Sequence, residues 1–248
     1  MKKNLKAVKQ IGFDALFLAL FFIFAYVPNL GYISIFGLSF TTMHVLVLLG
    51  AILFGWKRGA LYGLFFGLTS LLIGLTHPGT LDYFSLNPFI SILPRVAFGL
   101  ISGLVFDGLR HICSQKTFNI LAFPVSGGLT LLHTILYFIC FYFFGLQDVM
   151  GFSRNVLGLG SLIDSFANSY GSFLIFISSF MAIGSTVEIA GAAILIPSLY
   201  MAINAKFNIG KVVILEKRQE FHEGMAPLAT LIITIVSLVG VIIISLLI

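Results

Sequence analysis

The sequence predicts an all-α integral membrane protein: a bundle of six helices followed by a seventh, C-terminal span. Three observations carry this reading. Of 248 residues, 59% are apolar and only 9% charged, whereas soluble domains run near 25% charged, so the ionic groups cannot cover a water-facing surface. The apolar residues fall in unbroken runs rather than in the alternating ten-residue strands of a membrane barrel, and at about 20 residues per span there is enough for about seven helices. Finally, the basic residues sort to one side of that set of spans, as the positive-inside rule requires. This composition excludes a soluble enzyme, a nucleic-acid binder and a disulfide scaffold. Cys113 and Cys140 lie in or beside apolar runs and read as small buried hydrophobes.

The first apolar run, residues 11–27, follows Lys2, Lys3, Lys6 and Lys9. A cleaved signal peptide is the competing reading, but Asp14 interrupts the run and no small-x-small site precedes Pro28. The next runs are 40–54, 59–75, 89–109 and 121–144. A long Gly- and Ser-rich connection is expected from Gly145 to about Met181, with 172–181 too short to cross and read as an interfacial or re-entrant piece. A sixth span is expected over 182–203. Residues 206–224 read as a cytoplasmic polar linker, and 225–248 as the extra helix, so that 1–205 form the main membrane domain.

If the spans alternate, Lys57, Arg58, Arg110, Lys116, Lys206, Lys211, Lys217 and Arg218 share a side with the N-terminal lysines, leaving only Arg95 and Arg154 opposite. The expected topology has a cytoplasmic N-terminus. The outer connections, 28–39, 76–88 and 145–181, then hold the turn formers and polar groups, including His77 and Tyr83. Long loops on one face usually build a site or a lid, so a ligand is expected to arrive from outside.

Each ionisable residue at membrane depth costs about 2.5–3.5 kcal/mol on insertion scales and needs a partner or a purpose. Arg95 follows Pro94 near the outer end of the fourth span, Glu188 lies near the outer end of the sixth, His133 is inside the fifth, and His44 starts the second. Arg95 and Glu188 either form a structural ion pair or face a ligand. Asp14 and Asp107 sit near cytoplasmic ends. Gly59, Gly63 and Gly67, and Gly99 with Gly103, recur every four residues, a spacing that lets helix backbones approach closely. Ala15 and Ala19 repeat the pattern in the first span.

Several segments together resemble a known family. Phe40-Thr41-Thr42-Met43-His44 through Gly55, then Gly59 to Ser70, is similar to the second and third helices of S components, the substrate-binding subunits of energy-coupling factor (ECF) vitamin transporters. Asn87-Pro88-Phe89 through Gly99 resembles the entry into their fourth helix, Thr130 to Thr134 their fifth, and Glu188 to Pro197 their sixth. The resemblance covers about residues 10 to 206 and implies a six-helix subunit of a bacterial cell membrane that binds a water-soluble vitamin near its outer face. It also implies three partner chains, a transmembrane T subunit and two ATPases; no cofactor belongs to this chain, and ATP is used by those ATPases. Ala15 and Ala19 match the family's docking motif for the T subunit. No G-x-x-x-x-G-K-[ST] loop occurs in the sequence, as an S component leads one to expect. The seventh span departs from the family pattern.

The resemblance sits nearest the pantothenate branch, with pyridoxine, hydroxymethylpyrimidine and folate carriers as neighbours. Arg95 would suit a carboxylate, with Thr42, His44, His77, Asn87, His133, Tyr137 and Glu188 as polar candidates and Tyr83, Phe84, Phe89 and Tyr137 as aromatic walls. If Glu188 neutralises Arg95, a neutral vitamin becomes as plausible. An intramembrane protease would need paired metal ligands or an activated serine, yet Glu188 is the only acid well inside a span and no His-Glu-x-x-His occurs. A self-sufficient secondary transporter would be expected to show internal repeats with broken helices, and no convincing halves are present. A purely structural subunit would leave the elaborated outer loops unexplained.

Overall fold

The computed structural model describes residues 2–35, 38–76, 86–156 and 170–207. In chain order these form α1 (Lys2–Tyr26), β1 (Tyr32–Ile35), β2 (Leu38–Thr41), α2 (Met43–Phe54), α3 (Trp56–Thr76), α4 (Pro88–Ser91), α5 (Leu93–Ile112), α6 (Gln115–Val156) and α7 (Tyr170–Phe207). Six long helices and a single-turn helix make one bundle, with the all-α architecture read from the sequence. Among the described residues, four stretches are long and apolar enough to cross a membrane: Trp56–Thr76, Pro88–Ile112, Gln115–Phe141 and Ser185–Ala205; Gln10–Tyr26 and Met43–Phe54 are shorter apolar helices. The polar linker and seventh span, beyond Phe207, lie outside the described residues.

Three expectations are corrected. Residues 28–39, read as a plain loop, contribute to a β-hairpin with Tyr32 opposite Thr41 and Ile35 opposite Leu38. Pro28 ends α1 and Asn29 turns the chain at φ 59°; Tyr-Ile-Ser-Ile and Leu-Ser-Phe-Thr then alternate in the two-residue period of strands. The second span therefore starts at Met43 rather than Phe40, and its 12 residues reach only about 18 Å. The long connection from Gly145 to Met181 is mostly helix as well, because α6 continues to Val156 and α7 begins at Tyr170. Residues 172–181 are the first turns of a continuous helix rather than a separate piece. Once a helix is nucleated, each added residue gains a hydrogen bond at little further cost, and neither 145–156 nor 170–181 contains a proline.

The α3–α5 pair is the tightest in the bundle. A Cβ at Gly59 would strike the Gly99 carbonyl, one at Gly63 the Arg95 carbonyl, and one at Gly103 the backbone of Trp56; at Gly67 it would lie 2.8 Å from Ile92 Cα. The Ser91 hydroxyl donates to the Gly67 carbonyl at 2.9 Å along the same seam. These glycines are bundle packing, as their spacing predicts. Gly55, at φ 82°, makes the one-residue turn from α2 to α3.

The end of the bundle away from the hairpin is stapled by Arg110. Its guanidinium donates to the Ile52 carbonyl, lies 5.0 Å over Phe118 and 5.5 Å over Tyr200, and stands 3.7 Å from Asp107. Asp107 in turn accepts from the Trp56 backbone N–H at 3.1 Å. One buried cation thereby joins α2, α3, α5, α6 and α7. Cys113 and Cys140 are free thiols, half-buried and buried respectively.

Candidate functional site

At the hairpin end the bundle holds polar groups that its packing does not satisfy. Arg95 enters at the first turn of α5, just past Pro94, where the break between α4 and α5 exposes the Ile90 carbonyl to its Nη1. Its guanidinium lies 4.7 Å from the Tyr137 ring of α6 and 5.2 Å from Phe66 of α3, stacked as cations are on aromatic faces. Beside it, the His133 ring of α6 packs 4.9 Å from Phe98 and 5.5 Å from Phe66. The His44 ring of α2 stacks on His133 at 6.0 Å, tilted only 22°.

All three polar side chains are nearly sealed: His44 is 1% exposed, His133 4% and Arg95 6%. Yet Arg95 Nε and both ring nitrogens of His133 lack a hydrogen-bond partner among the described residues. Arg95 forms no ion pair with any described carboxylate. A buried unsatisfied donor or acceptor costs about 1–3 kcal/mol, and native interiors rarely leave several together. A neutral imidazole offers one donor and one acceptor, and a guanidinium offers five donors. The cluster is therefore chemically suited to a ligand with an anionic end and neighbouring hydroxyl or amide groups. Ser102 and Ser126, one heptad deeper on α5 and α6, also carry buried hydroxyls without a partner among the described residues.

Glu188 does not pair with Arg95. Its carboxylate accepts the Thr41 backbone N–H at 2.6 Å, tying α7 to the end of the hairpin. The hairpin is held on its other side by a 2.7 Å hydrogen bond between the Tyr32 and Ser70 hydroxyls. Thr42, which precedes α2, donates to the Leu30 carbonyl. Asn87 caps α4 by accepting from the Phe89 N–H at 3.0 Å and reaches the Phe144 carbonyl at 3.4 Å. Phe89 is more than half exposed and stacks on Phe144 at 5.0 Å, away from the cluster. His77, Tyr83 and Phe84 lie outside the described residues.

Of the candidates read from the sequence, His44, Arg95, His133 and Tyr137 come together, whereas the side chains of Thr42, Asn87 and Glu188 bond backbone groups of other segments. Phe66 and Phe98, which wall the cluster, escaped the sequence reading. In a chain with 27 phenylalanines nothing but tertiary contact distinguishes these two. Ala15 and Ala19 are exposed on α1, flanked by exposed Ile11, Leu16, Leu18 and Phe22. The described residues contain no group of three or more side chains able to hold a metal ion.

Residues 9–200 match the family described as ECF transporter, substrate-specific component. The chain is also similar to the pantothenate transporter PanT of Leuconostoc mesenteroides subsp. mesenteroides, with 34% identity over 130 residues, half of this chain and 63% of that relative. The match thus spans less than two thirds of the relative's length. The family is one of transport components rather than catalysts. Its match runs from the first described helix to the last and takes in the whole polar cluster, so the chain belongs to the substrate-specific components of ECF transporters.

Proposed function

We propose that this chain captures a water-soluble vitamin, pantothenate in the first instance, from outside a bacterial cytoplasmic membrane and delivers it inward when docked on a T subunit and two ATPases. The observation that carries the substrate reading is the buried Arg95 guanidinium, which has no carboxylate partner among the described residues. A neutral vitamin would leave that cation uncompensated, whereas pantothenate supplies a carboxylate for Arg95 and hydroxyls and an amide for His133 and His44. The name of the Leuconostoc relative agrees with this chemistry. In this reading the hairpin end faces outward and the Lys-rich start of α1 faces the cytoplasm. Ala15 and Ala19 form the docking face for the T subunit, their small side chains leaving a flat surface for another helix.

Mass spectrometry of small molecules released from the detergent-purified protein tests the substrate directly. Pantothenate is the expected species. Recovery of a neutral vitamin in its place refutes the role given to Arg95.

A further inference from the structure

A second polar cluster joins α1 to α3 and shares no side chain with the ligand site. Asp14 accepts an ion-pair contact from Arg58, a 2.8 Å hydrogen bond from the Tyr62 hydroxyl, and a 3.3 Å bond from Gln10 one turn earlier on α1. Arg58 and Tyr62 are four residues apart and so lie on one face of α3. Tyr62 is fully buried. Its ring stacks on Phe17 at 4.4 Å and 6°, and it fills the space that Gly50 of α2 leaves open, where any Cβ would collide with it.

We propose that Asp14, Arg58 and Tyr62 form a clamp that sets the rotation of α1 and thereby aims Ala15 and Ala19 at the T subunit, a role that rests on the docking reading above. α1 is otherwise held to α2 and α3 mainly by rings: Phe13 against Phe54, Phe17 against Tyr62 and Phe54, and Phe21 against Phe65 and Phe66. Ring contacts of this kind yield to a turn of the helix at only the cost of repacking, because apolar side chains on its other face, such as Ile11, Leu16 and Phe22, would pack in their place. A carboxylate does not. Turning α1 by one residue, about 100°, would carry Asp14 away from Arg58 and Tyr62 towards lipid. Ala15 and Ala19 lie one and five residues after Asp14, so a single rotational setting buries the carboxylate and presents both alanines outward. These three side chains are positioning residues. None of the contacts they make is to His44, Arg95, His133 or Tyr137.

The test uses the whole transporter in membranes, with Cys113 and Cys140 replaced by serine. Single cysteines at Ala15, Leu16, Leu18, Ala19 or Ile23 are cross-linked to a cysteine on the T subunit. With the clamp intact, cross-links concentrate at Ala15 and Ala19. Asp14→Leu, which a membrane helix tolerates, spreads them to the neighbouring positions. It also lowers uptake of labelled pantothenate about tenfold to a hundredfold, the range that one charge-assisted contact spans, while binding of the same probe to the isolated subunit stays within about twofold. Tyr62→Phe, which keeps the stacked ring, gives a smaller shift in the same direction. A cross-link pattern unchanged in Asp14→Leu overturns the clamp, as does loss of probe binding in parallel with uptake, which marks a merely structural role. If the clamp-intact protein gives no cross-link at Ala15 or Ala19, the docking reading itself fails and the clamp's role falls with it.

Discussion

Replacing Arg95 with methionine removes the guanidinium and keeps most of the apolar stem between Phe66 and Tyr137. For an anionic ligand the loss is large. Removing one partner of a buried ion pair costs about 3–5 kcal/mol, because the other charge stays desolvated, which corresponds to a rise in Kd of roughly two hundred- to several thousand-fold. A neutral vitamin loses at most one hydrogen bond to a charged donor, about 1.5–3 kcal/mol. The unliganded protein behaves differently. It forfeits the bond to the Ile90 carbonyl but no longer buries a cation without a described counter-ion, so its stability is expected to stay within about 1 kcal/mol of the parent. Isothermal titration with pantothenate and with pyridoxine, beside thermal melts of the ligand-free protein in detergent, separates these terms. Equal losses for both vitamins, or a collapse of the melting temperature with binding affinity preserved, would show that Arg95 serves packing and refute its role as the anion partner.

Other expectations follow from single contacts. Ala15→Trp is expected to abolish uptake while leaving vitamin binding to the isolated subunit intact, since Ala15 is exposed and distant from the polar cluster; impaired binding in that variant would contradict the docking face. Gly63→Val drives a side chain into the Arg95 backbone and should destabilise the bundle by about 3 kcal/mol or more, the upper end of overpacking, read as early melting. Gly12→Ala and Gly191→Ala meet nothing within 4 Å and should be neutral or stabilising by up to about 1 kcal/mol; marked destabilisation in either would show that the open space at these sites is misjudged. Glu188→Ala strands the Thr41 N–H and should speed amide hydrogen exchange across the hairpin, whereas Glu188→Gln, which still offers an acceptor oxygen, should restore protection; identical exchange in both variants would rule out the tie between α7 and β2.

Residues whose role depends on solvent or on local spacing were legible before any contact was known. The four-residue glycine repeats predicted close backbone approach, and α3 meets α5 along them. Arg95 and His133 stood out because a polar group in an apolar helix is costly wherever the helix packs. The same reasoning left the partner of Glu188 open, since the cost of burying a carboxylate calls for a partner without naming one, and the backbone N–H of Thr41 leaves no signature in a side-chain pattern. The hairpin was missed because four-residue strands are too short to register between turn formers, and the extensions of α6 and α7 because Gly and Ser read as loop when their helical context is unknown.

By itself the sequence determined the solvent, the class of fold and the family: apolar runs and segregated charge follow from partition between water and lipid, a property of each segment independent of its neighbours. Only the tertiary structure decided which polar groups share a site. Arg95, His133 and His44 converge from three helices with Phe66 and Phe98 around them, while Asp14 is carried to Arg58 and Tyr62. The physical reason is that helix rotation and pairing are set by close packing and by satisfying buried charge, which are properties of pairs of segments that no single stretch of sequence contains.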